Sequence, residues 1–128
     1  MKSSEFINTV QAMAGIDSKQ EATQAIQATF ETLAERLVGN EADQLAAQVP
    51  DELGQWLRGH RDEPGQHFSL QEFYHRVSDR EGVDPTQATI HSRAVISVLG
   101  SAVTSGEFED VKLNLPHDYQ DLFSPGAF

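Results

Sequence analysis

The sequence predicts an all-α protein, a tandem-duplicated helical domain whose two similar multi-helix halves pack together. Three observations predict it. Apolar residues recur at helical spacing along nearly the whole chain, capping residues precede those stripes, and a stretch near the middle is echoed at the end. No segment shows sustained apolar–polar alternation between turn dipeptides, so no strand pattern competes.

The echo organises the rest. Glu41 to Leu57 reads EADQLAAQVPDELGQWL and Glu107 to Phe123 reads EFEDVKLNLPHDYQDLF. In each, an acidic segment leads to a hydrophobic residue and a proline, Val49-Pro50 and Leu115-Pro116. Proline lacks an N–H and suits a first helical turn, so each proline is expected to end one helix and begin another. The triads Leu53, Trp56, Leu57 and Tyr119, Leu122, Phe123 follow at i, i+3 and i+4, on one face of an α-helix. Glu5, Phe6, Val10, Gly15 and Asp17 match Glu72, Phe73, Val77, Gly82 and Asp84; after one deleted position, Ala22, Ala28, Leu33, Glu41 and Pro50 match Ala88, Ala94, Leu99, Glu107 and Pro116. These positions are apolar or punctuating, so the duplication speaks of packing rather than chemistry. The expected organisation is a single domain over 1–128, about eight helices in all, with repeat halves 1–58 and 69–128 joined by a polar connector 59–68.

In order, a first helix starts near Ser3 or Ser4 and buries Phe6, Ile7, Val10, Met13 and Ala14, with Gly15 to stop it. Ser18-Lys-Gln-Glu21 is a capping box opening a long helix whose face is Ala22, Ile26, Phe30, Leu33 and Leu37. Gly39-Asn40 supply its stop and the next cap, and a third helix runs from Glu41 to Gln48. The connector GHRDEPGQHF has no apolar period. The pattern restarts with the capping box Ser69 to Glu72, then Leu70, Phe73 and Val77, then Gly82. Asp84-Pro85-Thr-Gln87 opens the second long helix, with stripe Ala88, Ser92, Val95, Ile96, Leu99 and Val103. Val98 and Ala102 widen that stripe, so this helix is expected to be the more deeply buried of the two.

Composition narrows the function. At 128 residues and 38% hydrophobic, the chain can bury roughly two-thirds of its unfolded surface without staples. With no cysteine, disulfides, thiolate metal sites and cysteine nucleophiles are excluded. The start MKSSEF lacks the regions of a signal peptide and no apolar run approaches a membrane span, so a cytoplasmic location is expected. Twenty acids against nine bases give −11, the wrong sign for gripping phosphates, so nucleic acid is not expected as a partner. The charge is spread evenly, which reads as a solvated acidic surface suited to basic partners; DNA mimicry would require the acids to align along one face.

Three stretches carry a family likeness: RLVGNEADQLAAQVP, Arg36 to Pro50; EFYHRVSDREGVD, Glu72 to Asp84; and SGEFEDVKLNLPHDYQDLF, Ser105 to Phe123. Together they resemble the bacterial domain-of-unknown-function family 2267 over nearly the whole chain. The shared signature is a leucine-alanine-rich helix entering Gln-hydrophobic-Pro, then Gly-Glu-x-Glu-Asp-Val followed by Leu-Pro. The connector departs from the longer, aromatic-containing one of the family. The resemblance implies a small all-helical domain and brings no activity and no catalytic residues.

No catalytic constellation stands out. Glu72-Phe-Tyr-His75 has the Glu-x-x-His spacing of di-iron bundles, but the matching positions are Glu5 and Asn8, so the second ligand set is missing and His75 is expected to face solvent. His60, Asp62, Glu63 and His67 in the connector are competent zinc ligands without a recognised spacing, so neither a metal nor a cofactor is assigned. His91 and His117 have no evident partners. The carboxylate pairs Glu31/Glu35, Glu107/Asp110 and Asp118/Asp121 read as polar helix faces with no apolar pocket to shift them. Gly-x-Ser-x-Gly, Ser-x-x-Lys, phosphate-loop and dinucleotide fingerprints are all absent.

The expectation is therefore a non-enzymatic acidic interaction module, an adaptor, assembly factor or accessory subunit that binds another protein, with self-association left open. Its candidate contact residues are Leu53, Trp56, Leu57, Tyr119, Leu122, Phe123 and, beyond the last helix, Phe128; the triads read more readily as core than as partner surface. The alternative is a metal-dependent or small-ligand-binding enzyme in the cleft between the halves. A buried histidine–carboxylate pair there would favour it, and a flat apolar patch around Trp56, Tyr119 or Phe128 would favour the adaptor. The stripe assignment has its own test: Leu99→Ala should leave a cavity costing about 2–5 kcal/mol in chemical denaturation, and a variant as stable as the parent would contradict it.

Overall fold

A computed structural model describes residues 1–60 and 63–124. The elements are α1 (Ser3–Ala14), α2 (Lys19–Arg36), α3 (Glu41–Ala46), α4 (Asp51–Gly54), α5 (Leu70–Glu81), α6 (Pro85–Ala102) and α7 (Ser105–Asn114), then a closing 3₁₀ helix (His117–Phe123). Among the described residues there is no strand, and no helix is long and apolar enough to cross a membrane.

Helix starts follow side chains that replace missing backbone acceptors. Ser18 Oγ accepts from the Glu21 N–H at 3.1 Å and Ser69 Oγ from the Glu72 N–H at 3.1 Å. Asp84 Oδ1 accepts from the Gln87 N–H at 2.8 Å, with Pro85 at the first helical position. Thr104 caps α7 in the same way, accepting from the Glu107 N–H at 3.2 Å. Gly15 and Gly82 end α1 and α5 in the left-handed conformation, at φ 66° and 76°.

The two long helices, α2 and α6, are 18 residues each and lie against one another. Both α1 and α5 pack on both of them. Phe6 and Val10 of α1, and Phe73 and Val77 of α5, are fully buried there. Behind this four-helix layer α3 packs on α7, and α6 also carries α7 and the 3₁₀ helix. The buried apolar side chains form a cluster to which every element contributes.

Several expectations are corrected. Burial is deeper in α2 than in α6, ten residues against eight, because Thr29, Thr32 and Arg36, which read as polar positions, are enclosed. Helix α3 stops at Ala46 rather than Gln48. The Gln48 N–H turns back to the Leu45 carbonyl at 3.0 Å, and the residue before Pro50 is pushed out of the helical region. Asn40 makes no side-chain cap; its Oδ1 accepts from Gln44 Nε2 instead. The closing helix is 3₁₀, with three residues per turn. Tyr119 and Leu122 therefore stack on one buried face while Phe123 rotates away and is half-buried.

Between α4 and α5 the chain is anchored to the end of α2. The Gln66 N–H donates to the Glu35 carbonyl at 3.0 Å, and Arg76 lies 3.9 Å over the Phe68 ring. Gly65 passes so close that a Cβ there would stand 2.4 Å from Val38 Cγ1 and 3.0 Å from the Leu37 carbonyl. Gly106, inside α7, would place a Cβ in open space. Gly65→Ala should thus lower the denaturation midpoint, whereas Gly106→Ala should raise stability by about 0.4–1 kcal/mol; equal effects from the two would contradict this placement.

Candidate functional site

Helix α7 and the 3₁₀ helix enclose an open groove of about 560 Å³ whose walls include Glu109, Lys112, Leu113, Leu115, Tyr119 and Phe123. Leu113 is 77% exposed, the most exposed large apolar side chain among the described residues. Tyr119 is buried, and its hydroxyl donates to the Phe68 carbonyl at 2.8 Å; burial, above all, pushes its phenol up to about 12. Phe108 meets Phe123 edge-on at 5.5 Å, and the Lys112 ammonium lies 4.9 Å and 5.8 Å from the two ring centres.

The closing triads divide between core and rim. Leu53, Leu57, Tyr119 and Leu122 are buried by the protein itself and hold the fold together. Trp56 and Phe123 keep partial exposure, Trp56 beside Arg58 and His60, far along the chain from the α7 groove. Phe128 lies outside the described residues, as does Asp62. Of the remaining connector candidates, His60 Nδ1 contacts Glu63 Oε2 at 2.9 Å and His67 is exposed. His60, Glu63 and His67 do not gather as a ligand set among the described residues.

A second cavity, of about 490 Å³, lies where the α1–α2 turn faces the α5–α6 turn. Asp17, Glu21 and Gln24 line it from one side, and Glu81, Gln87 and His91 from the other. Its floor is a hydrogen-bonded contact between His91 Nδ1 and Glu81 Oε2, the two side chains only 9% and 3% exposed. Glu81 Oε1 is buried and has no hydrogen-bond partner among the described residues.

Two other acids are handled differently. Burial works against ionisation of Glu35, but hydrogen bonds and charge from Arg80 at 2.6 Å and Arg76 at 3.3 Å outweigh it and hold the carboxyl below its usual range. Glu107 faces Glu41 and Asp110, the three carboxylates offering oxygens within 4.8 Å of one another. Burial first, then the hydrogen bond and charge of Glu41, then Asp110, push Glu107 up to about 8.

A family model described as an uncharacterized conserved protein, DUF2267, matches residues 3–122. The chain belongs to the DUF2267 family. No curated protein matches it. Family membership thus carries the fold and assigns no chemistry to the geometry above.

In this DUF2267 chain the burial of His91 and Glu107 is not evident from sequence, for traceable reasons. His91 lies three residues after Ala88 and four before Val95, inside the α6 apolar stripe, and that position signals burial. Its partner Glu81 closes α5, and nothing local joins the two. Glu107 was read as part of a polar face, yet α3 packs over it and it is 7% exposed. The sign of its effect follows. Below the ordinary glutamate range both folded and unfolded chains hold the proton, and between that range and about 8 only the folded chain does. Stability from this group is therefore full at pH 4 and falls as pH rises to 8. Glu107→Gln should gain stability over the parent at pH 8 in urea denaturation and change little at pH 4; equal gains at both would refute the shift.

Proposed function

We propose that this chain is an acidic, non-enzymatic interaction module that docks a basic amphipathic segment of another protein in the groove between α7 and the 3₁₀ helix. Leu113, 77% exposed at the lip of that groove, carries the reading. An exposed leucine in the same groove as the half-buried Phe123 offers apolar area to a partner's anchor residue. The same two helices present exposed carboxylates at Glu109, Asp110, Asp118 and Asp121, and the whole chain carries −11, so flanking lysine or arginine on the partner would be steered in. Of the contact residues expected from sequence, Phe123 lines this groove, and Trp56 keeps partial exposure on another part of the surface.

The pairs α1 with α5 and α2 with α6, 12 and 18 residues long, and the recurring glycine stops and side-chain caps support an origin by tandem duplication within one domain, with 59–68 as connector. A reducing, cytoplasmic setting belongs to the same proposal and is compatible with a chain that has no cysteine. The histidine–carboxylate floor of the second cavity favours a second reading, a site for a small ligand. The residues lining that cavity include no Ser, Thr, Cys or Lys nucleophile, which supports binding there rather than covalent chemistry.

Site-specific photo-crosslinking decides the docking reading. With a benzophenone side chain replacing Leu113, the expected product in source cells is one protein, joined through a segment in which apolar residues alternate with Lys or Arg, and lost at high salt. Crosslinks only between copies of this chain, or to segments without basic residues, would overturn it.

A further inference from the structure

Where α3 meets α7, three carboxyls converge with nothing basic to receive them. Glu41 is the first residue of α3, Glu107 lies in the first turn of α7, and Asp110 follows Glu107 by three residues on the same helix face. An acid at a helix start is ordinary, because it meets the positive end of its own helix. Here α3 and α7 bring such acids together instead: one oxygen from each of Glu41, Glu107 and Asp110 lies within 4.8 Å of the others. Among the described residues none of the three forms an ion pair, and Lys112, two residues beyond Asp110, lies over the Phe108 and Phe123 rings.

Glu107 distinguishes this cluster from a solvated acidic face. The residue is 7% exposed, its carboxyl is directed at the other two, and its Oε2 is buried with no hydrogen-bond partner among the described residues; Glu41 Oε2 is in the same state. Acids removed from water in this way need a proton or a cation among them. A proton neutralises one charge of the three, whereas a divalent cation neutralises two and meets all three oxygens at once. Asp110 is exposed, so an ion reaches the cluster from its side without crossing the core. A set made of carboxylates, without His or Cys, selects a hard cation. Calcium bonds oxygen at about 2.4 Å, which puts opposite ligands about 4.8 Å apart, a span that contains these three oxygens; magnesium, at about 2.1 Å, demands a tighter, near-octahedral set. We propose that Glu41, Glu107 and Asp110 hold a calcium ion that ties α3 to α7, with water completing its shell at the exposed Asp110. None of the three lines the α7 groove, so the site is independent of what docks there.

The test is calorimetric titration of the full chain, first stripped with a chelator, with calcium chloride and with magnesium chloride at physiological salt. The expected result is one calcium per chain, at least tenfold preference over magnesium, and a higher melting temperature with calcium. Glu41→Gln, Glu107→Gln and Asp110→Asn should each weaken calcium at least tenfold and remove the melting shift, whereas Asp51→Asn on α4 should do neither. Asp110 is exposed, so the outcome stays readable if a glutamate variant fails to fold. Equal affinity for the two ions, or equal weakening by Asp51→Asn, would reduce the effect to counterion attraction and overturn the site. No heat and no melting shift at millimolar calcium would overturn it too, leaving a proton shared between Glu41 and Glu107.

Discussion

A buried arginine ties the two ends of the fold together. Arg36, the last residue of α2, is enclosed; its Nε donates to the Phe68 carbonyl at 3.0 Å, and its guanidinium lies 5.2 Å from the Tyr119 ring centre and 5.9 Å from that of Phe68. A cation suits the carbonyl end of a helix, and here a carbonyl and two aromatic faces replace the water it has lost. Tyr119 completes the joint by donating to the same Phe68 carbonyl, so the end of α2, the entry to α5 and the 3₁₀ helix are fixed at one point. The alignment of α5 against α2, and of the α7 groove beside Tyr119, follows from that joint.

The acidic surplus gives the interior its variety. Glu35 is matched by two arginines, Glu107 keeps its proton through burial and two further carboxyls, and Glu81 meets a histidine. These are three responses to the same problem, an acid removed from water. The first fastens α5 to α2 and the second marks where α3 meets α7. The third joins the end of α5 to α6 across the turn between them.

Legibility in the sequence followed range. Signals lying within a turn or two of one another were readable: the caps at Ser18, Ser69 and Asp84, the glycine stops at Gly15 and Gly82, and the stripes through Phe30 and Leu99. Signals that depend on an element arriving from elsewhere were not. Glu81 and His91 are ten residues apart across a turn, and Glu41 and Glu107 meet only because α3 packs on α7. The triad ending in Phe123 was misjudged for a subtler reason. An i, i+3, i+4 pattern is one face only at 3.6 residues per turn, and the chain after Pro116 winds more tightly.

The way α1 and α5 each lie across both long helices bears on how such a chain could have come about. Helix α1, which buries Phe6 and Val10, packs on α6 as well as α2, so a molecule containing only the first four elements would leave those contacts open. A second identical copy, laid across it with the roles of the two long helices exchanged, would close them. Under the duplication proposed above, a half-length ancestor would need a second copy of itself to close its core, and the stretch from Gly59 to Phe68 would be the later covalent join.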